Sequence, residues 1–235
     1  MTETRIALVG MGRMGRALAA LAAERGCRVV AALDAATRID AAALGGAEVA
    51  IEFTAPEAAA GNVLACVAAG CPVVSGTTGW ADALPAVRER VAREGGALLW
   101  AANFSVGVNL FAEVARAAGA LLARDGGFDV HLTEVHHAAK RDAPSGTGAL
   151  LADVVGGAAG RPVPITSVRT GSVPGTHTLT FDAPFEQVTL EHLARDRRVF
   201  ADGALLAARW LAARWRSGGR GVFTMADVLT RGQPS

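Results

Sequence analysis

The chain has 235 residues, 51% of them hydrophobic, which suits one large domain or two small ones around a substantial core. Its 23 Lys and Arg offset 22 Asp and Glu, for a net charge of +1, and no long block of one sign occurs. That balance excludes the electrostatic footprint of a nucleic-acid binder or of a protein held on an anionic membrane.

The first hundred residues repeat one pattern of short apolar run, Gly-rich turn and Ala-rich helical stretch. Strands are expected at 5–9, 28–33, 48–53, 72–75 and 97–101, with helices at 13–25, 56–69 and 82–94. Such alternation indicates βαβ units and a parallel sheet. The span from Asp34 to Glu48 is too brief for a full crossover helix. Beyond Asn103 the character changes: a long helix at 109–123, a strand at 128–135 with His131 and Thr133 on one face, and a helix at 147–155. Segments around Val168, 177–181 and 187–192 then alternate like antiparallel strands, punctuated by Gly171, Gly175 and Pro184. Asp202 reads as the N-cap of a last helix that turns Leu206, Trp210 and Leu211 inward and stops at Gly218 and Gly219. That helix and the tail at 222–229 are expected to pack back on the first domain.

Cys27, Cys66 and Cys71 are odd in number and form no CxxC pair, so three unpaired thiols in a reducing compartment are expected. No signal peptide and no apolar stretch of about 20 residues is read, and a cytoplasmic location follows by default.

The first strand runs into Gly10-Met11-Gly12-Arg13-Met14-Gly15, a GxGxxG placed between a strand and a helix. Its glycines allow a tight turn and close backbone approach, and the helix N-terminus offers N–H groups to a pyrophosphate. The second strand ends at Asp34, an acid placed to accept hydrogen bonds from an adenosine ribose. Together they indicate a Rossmann-type, dinucleotide-binding domain. The fold expected is therefore α/β: that parallel-sheet domain over 1–105, completed by 202–235, plus a smaller α+β domain with a mixed sheet over 106–201.

The densest chemistry lies at 134–148, with adjacent His136 and His137, Lys140, and a Ser145-Gly146-Thr147 turn. On an extended strand His136 and His137 point to opposite faces. Pro144 keeps Ala143 out of helix, so Ser145 or Gly146 starts the next one. The Gly146 and Thr147 amides would then suit a carboxylate, Lys140 adds positive charge, and a histidine is the natural proton donor near neutral pH. Each feature alone has an ordinary structural explanation; their coincidence beside a dinucleotide domain favours a hydride-transferring enzyme. No metal is expected, because adjacent histidines diverge and no further ligand cluster is evident.

The run EVHHAAKRDAPSGTG at 134–148 resembles the signature of the 4-hydroxy-tetrahydrodipicolinate (dihydrodipicolinate) reductases. GMGRMG at 10–15, EFT at 52–54, GTTG at 76–79 and NFSVGVN at 103–109 fall in that family's order. So do RTG at 169–171, GTH at 175–177, Arg197 before Phe200, and FTMADVL at 223–229. The resemblance implies NADH- or NADPH-dependent reduction of a small cyclic dicarboxylate in lysine and diaminopimelate biosynthesis. It implies His136 as proton donor with Lys140 as its catalytic partner, and His137, Gly146 and Thr147 as substrate ligands. Gly76, Thr77, Thr78, Ala101, Ala102, Asn103 and Phe104 would line the nicotinamide half of the cofactor. Ala35 stands where many members place an Arg for a 2′-phosphate, which favours NADH. A homotetramer built through the second domain's sheet is also implied. The chain departs from the family's usual residues at Glu52, Ala102 and Gly148, and is short between its second and third strands.

Two other readings compete: a Rossmann reductase of another small carboxylate, and a nicotinamide-binding sensor without catalysis. The former is not expected to carry the 134–148 run, and the latter would erode His136 or Lys140, both of which are intact.

Overall fold

The computed structural model describes residues 3–230, which form two compact units: residues up to Ser105 with those from Arg198 onward, and Val106–Arg197. The first begins with β1 (Thr4–Val9), whose Ile6, Ala7 and Leu8 are wholly buried. A strand apolar on both faces belongs inside a sheet covered on both sides. The succession is α1 (Arg13–Leu21), β2 (Cys27–Leu33), β3 (Val49–Glu52), α2 (Pro56–Ala68), β4 (Val73–Ser75), α3 (Leu84–Arg93) and β5 (Ala97–Trp100). β1 pairs in parallel with both β2 and β3, β3 with β4, and β4 with β5. Only turns join β2 to β3, as the short span from Asp34 to Glu48 requires. α1 is shorter than the 13–25 expected and gives way to a 3₁₀ turn at Ala23–Arg25; another, Ala81–Ala83, precedes α3. Val63 and Cys66 of α2 and Val87 and Val91 of α3 close one face over Ala50, Val73 and Leu98. Cys27, Cys66 and Cys71 are buried free thiols, and burial pushes the Cys71 thiol up to about 12.

The second unit opens with α4 (Val106–Ala118), continued by π-helical turns at Gly119–Asp125. An 18-residue window of this 20-residue stretch has mean hydropathy 1.4, which by length and composition alone corrects the expectation that no apolar run reaches membrane-spanning length. It carries an ion pair between Glu113 and Arg116, and its Ala112, Ala115 and Ala123 join the unit's core. It is thus an amphipathic packing helix.

β6 (Asp129–His136), α5 (Gly146–Ala159), β7 (Ile165–Arg169), β8 (Thr176–Ala183) and β9 (Glu186–Leu193) follow, in a sheet of order β7-β6-β8-β9. β7 runs parallel to β6, against the antiparallel expectation for the segment around Val168. The reason is α5, a helix long enough to carry the chain back and restart it in the same direction. One face of the sheet packs Val130, Leu132, Leu179 and Phe181 against Ala115, Leu151 and Val155. β6 alternates strictly: Val130, Leu132, Glu134 and His136 are buried, whereas His131, Thr133 and Val135 lie on the opposite face and are only partly covered.

α6 (Arg198–Arg216), β10 (Gly221–Phe223) and α7 (Met225–Thr230) complete the first unit. β10 adds in parallel to β5, giving the order β10-β5-β4-β3-β1-β2. α6 starts at Arg198, one turn before Asp202. Asp202 is therefore no N-cap; its carboxylate accepts a hydrogen bond from the Arg25 guanidinium. The inward face also differs from expectation: Ala201, Leu205, Ala208 and Leu211 are fully buried, while Leu206 is exposed. Contact with the loop after β5 sets this register, since Gly203 lies against the carbonyl of Phe104, 1.8 Å from where a Cβ would stand.

Candidate active site

In a parallel sheet all strands end on one rim, and ligands of such folds bind there. β1 ends in the glycine loop. Gly10 has φ +96°, and a Cβ there would stand 2.2 Å from the Phe53 carbonyl oxygen. A Cβ at Gly15 would stand 2.1 Å from the Gly10 carbonyl oxygen. Only glycine fits either position. A Cβ at Gly12 would meet nothing within 4 Å, and Gly12 caps α1 without any side-chain hydrogen bond. Open space thus lies beside the first-turn amides of Arg13 and Met14, as a pyrophosphate requires. Met11 helps hold the loop, its carbonyl accepting from Arg16 Nη1 at 3.1 Å.

Asp34 leaves the end of β2 exposed to solvent. Its Oδ1 accepts from Thr37 Oγ1 at 2.7 Å and Ala36 N at 3.1 Å, bonds that lower its pKa, the Thr37 bond most. At the ends of β3 and β4, Glu52 is wholly buried. Its Oε1 accepts from Thr54 N at 3.0 Å, from Thr54 Oγ1 and from Thr77 Oγ1 at 2.7 Å, and its Oε2 from Ser75 Oγ at 2.6 Å. The Thr77 hydroxyl is thereby committed within the protein, while Thr78 is exposed beside it. Gly76 passes against the rings of Phe53 and Phe104, which meet edge to face. After β5, Ala101 and Phe104 are buried, Ala102 is exposed, and Asn103 Oδ1 accepts from Ser105 N at 2.8 Å. The expected cofactor residues thus share one rim. They fit a dinucleotide: a glycine cradle beside a helix N-terminus, with an acid at the end of the next strand.

The second unit gathers its chemistry around Glu134, which is wholly buried. Oε1 accepts from Ser145 N at 3.0 Å, Ser167 Oγ at 2.8 Å and Arg169 Nη2 at 2.7 Å. Oε2 accepts from Ser145 Oγ and, at 3.1 Å, from Ser145 N. Burial pushes the Glu134 pKa up, but the bonds from Ser145, Arg169 and Ser167 outweigh it and hold the carboxyl down at about 2. His136 Nδ1 lies 3.6 Å and His177 Nε2 3.7 Å from Oε2, and the two rings meet edge to face at 5.2 Å. Burial lowers both histidine pKa values, that of His177 to about 4, with Glu134 opposing in each case.

Ser145 N-caps α5, accepting from Gly148 N at 3.0 Å, so Gly146 and Thr147 form the first helical turn. Lys140 Nζ bonds both oxygens of Asp142 at 2.8 Å. His137 turns away from His136, its Nε2 3.1 Å from Arg197 Nη2. Glu134, His136 and His177 have ligand-type atoms within 4.8 Å of one another. The carboxylate already pairs with the Arg169 guanidinium, which opposes a cation there.

Residues 4–104 match the family model for the N-terminal part of dihydrodipicolinate reductase, and residues 107–229 the model for its C-terminal part. The chain belongs to the dihydrodipicolinate reductase family. It is 36% identical to the 4-hydroxy-tetrahydrodipicolinate reductase of Christiangramia forsetii, over 96% of this chain and 97% of that one. It is 39% identical to that of Thiobacillus denitrificans, over 97% of this chain and 98% of the other. Among solved structures it resembles a dipicolinate-bound dihydrodipicolinate reductase from Paenisporosarcina, with TM-score 0.75 and 20% identity over 95% of this chain and 98% of that one.

Within this family member, sequence reasoning singled out His136 and Lys140 but gave no role to Glu134, Arg169 or His177. Period-two alternation on β6 could have found Glu134, two residues before His136 on the same face. Nothing local could have found His177, which stands opposite Glu134 only through the β6–β8 register.

Proposed function

We propose that this chain catalyses the reduction of 4-hydroxy-tetrahydrodipicolinate to tetrahydrodipicolinate, with loss of water, at the expense of NADH or NADPH. The observation that carries this reading is His136, whose Nδ1 is buried beside Glu134, set near Lys140 and the first turn of α5 in a family member with a dinucleotide cradle. A bound nicotinamide supplies the hydride. The chain supplies the rest. Gly10 to Gly15 hold the pyrophosphate and Asp34 the ribose, with Gly76 to Thr78 and Ala101 to Phe104 about the nicotinamide half. Lys140, His137 and the Gly146 and Thr147 amides hold the two carboxylates of the substrate. Lys140 retains a third N–H beyond the two bonded to Asp142. His136 donates the proton that balances the hydride.

NADH is the proposed preference, because Asp34 is an acid and Ala35 brings no cation for a 2′-phosphate. A cytoplasmic location accords with the three free thiols. A homotetramer through the second unit's sheet accords with its open face and with Leu193, which is half exposed on β9.

Oxidation of NADH and of NADPH is followed with substrate generated by a coupled synthase from pyruvate and aspartate semialdehyde. Synthase-dependent oxidation, faster with NADH, is expected. No oxidation despite tight NADH binding would discard the substrate assignment.

A further inference from the structure

Glu134 is placed to do more than cap a helix. Its Oε1 already takes three donors, from Ser145 N, Ser167 and Arg169. Its Oε2 takes only the Ser145 hydroxyl and a share of the Ser145 amide, so it retains capacity on the side facing the histidines. Of those two rings, His177 already has a partner for the nitrogen concerned. Ser145 Oγ donates to Glu134 and accepts from Gly148 N, so its remaining lone pair takes the His177 Nε2 proton at 3.2 Å. His136 Nδ1 has no such partner: it is buried, unbonded, and 3.6 Å from Oε2. A buried ring nitrogen beside an anion with spare capacity favours being the protonated one.

We propose that Glu134 is a positioning residue for His136: its carboxylate keeps the proton of the neutral ring on Nδ1 and leaves Nε2 to pass a proton to the substrate. In the acid form both nitrogens carry protons, with Nδ1–H turned to Glu134. Nε2 gives its proton to the reduced substrate, the neutral Nδ1–H ring remains, and solvent restores the Nε2 proton. The groups facing His136 are Glu134 on its own strand, Lys140 and Asp142 from the following loop, Arg169 on β7 and His177 on β8. Of these, Glu134 and Asp142 are the anions, and Asp142 is bonded to Lys140. The near contact at Nδ1 is therefore Glu134's.

The inference rests on His136 being the proton donor, and the test separates the two. Long-range ¹H–¹⁵N correlation spectra of histidine-labelled protein, with His136 signals assigned by their loss in His136→Gln, report the tautomer without any change at Glu134. A neutral His136 protonated at Nδ1 supports the inference; one protonated at Nε2 overturns it, whatever the activity. In Glu134→Gln, the His136 titration and the alkaline limb of kcat/KM are expected to fall together by about one pH unit. Activity would then drop about tenfold at pH 7.5 and recover toward pH 5.5, with substrate KM within about twofold. Glu134→Asp, which keeps the charge, is expected to restore most of the pH profile and is read alone if the Gln variant does not fold. An equal loss at every pH in the folded variant would overturn the inference. An active His136→Ala variant would instead remove the proton-donor reading itself.

Discussion

Thr77 on the β4 loop donates a 2.7 Å hydrogen bond to Glu52 at the end of β3, and its oxygen accepts in turn from Thr54 N at 2.8 Å. Two loops of the cofactor rim are thus tied through one buried carboxylate. Glu52→Gln puts an NH₂ group where an acceptor is needed, opposite either Ser75 or the threonines. A buried mismatch of this kind costs about 1–3 kcal/mol. A lower melting temperature and NADH binding weakened several-fold are expected, read by calorimetry and fluorescence titration. Unchanged affinity would show that the tie does not shape the cofactor site.

The glycine loop separates two effects that are usually confounded. Gly15→Ala forces a methyl to within 2.1 Å of the Gly10 carbonyl oxygen, so misfolding or a large loss of melting temperature is expected. Gly12→Ala meets nothing in the protein, so the fold should hold while a methyl intrudes on the cradle. That variant is expected to keep its melting temperature and lose at least about tenfold in NADH affinity, a loss of roughly 1.4 kcal/mol. Normal NADH affinity in Gly12→Ala would argue against pyrophosphate at this loop.

His136 and Lys140 are expected to fail in different ways. His136→Ala removes the proposed proton donor and should lower kcat by roughly 10²–10⁴-fold while leaving NADH affinity intact. Lys140→Ala removes the charged bond proposed for a substrate carboxylate and should raise KM at least about tenfold. Steady-state kinetics beside NADH titration distinguish the outcomes; a kcat unchanged in His136→Ala would end its proton-donor role.

Acid should loosen the second unit in two stages. The folded chain holds the His177 pKa near 4 against an ordinary 6.5, and lowers that of His136 as well. Below pH 6.5 the unfolded chain therefore binds protons that the folded chain refuses, and stability falls as the pH drops toward 4. Glu134, held at about 2 against an ordinary 4.5, contributes stability above pH 4.5 that is lost as the pH falls toward 2. The melting temperature is expected to decline from pH 6.5 downward, and less steeply in His177→Asn. A melting temperature that rises as the pH falls from 6.5 to 4.5 would contradict the histidine assignments.

What the sequence determined by itself is what depends on neighbours along the chain. GxGxxG between strand and helix, Asp34 at a strand end, the Ser145 cap after Pro144, and the shared face of Glu134 and His136 all follow from local backbone geometry and period-two alternation. What only the tertiary structure decided is pairing across distance. Whether β7 runs with or against β6 depended on where α5 returned the chain, and the inward face of α6 on how closely Gly203 could approach Phe104. The partnership of Glu134 with His177 and Arg169 came from the registers of β6 with β8 and β7. A one-residue slip in either would have turned those side chains to the other face, and no local propensity encodes a register between strands so far apart in the chain.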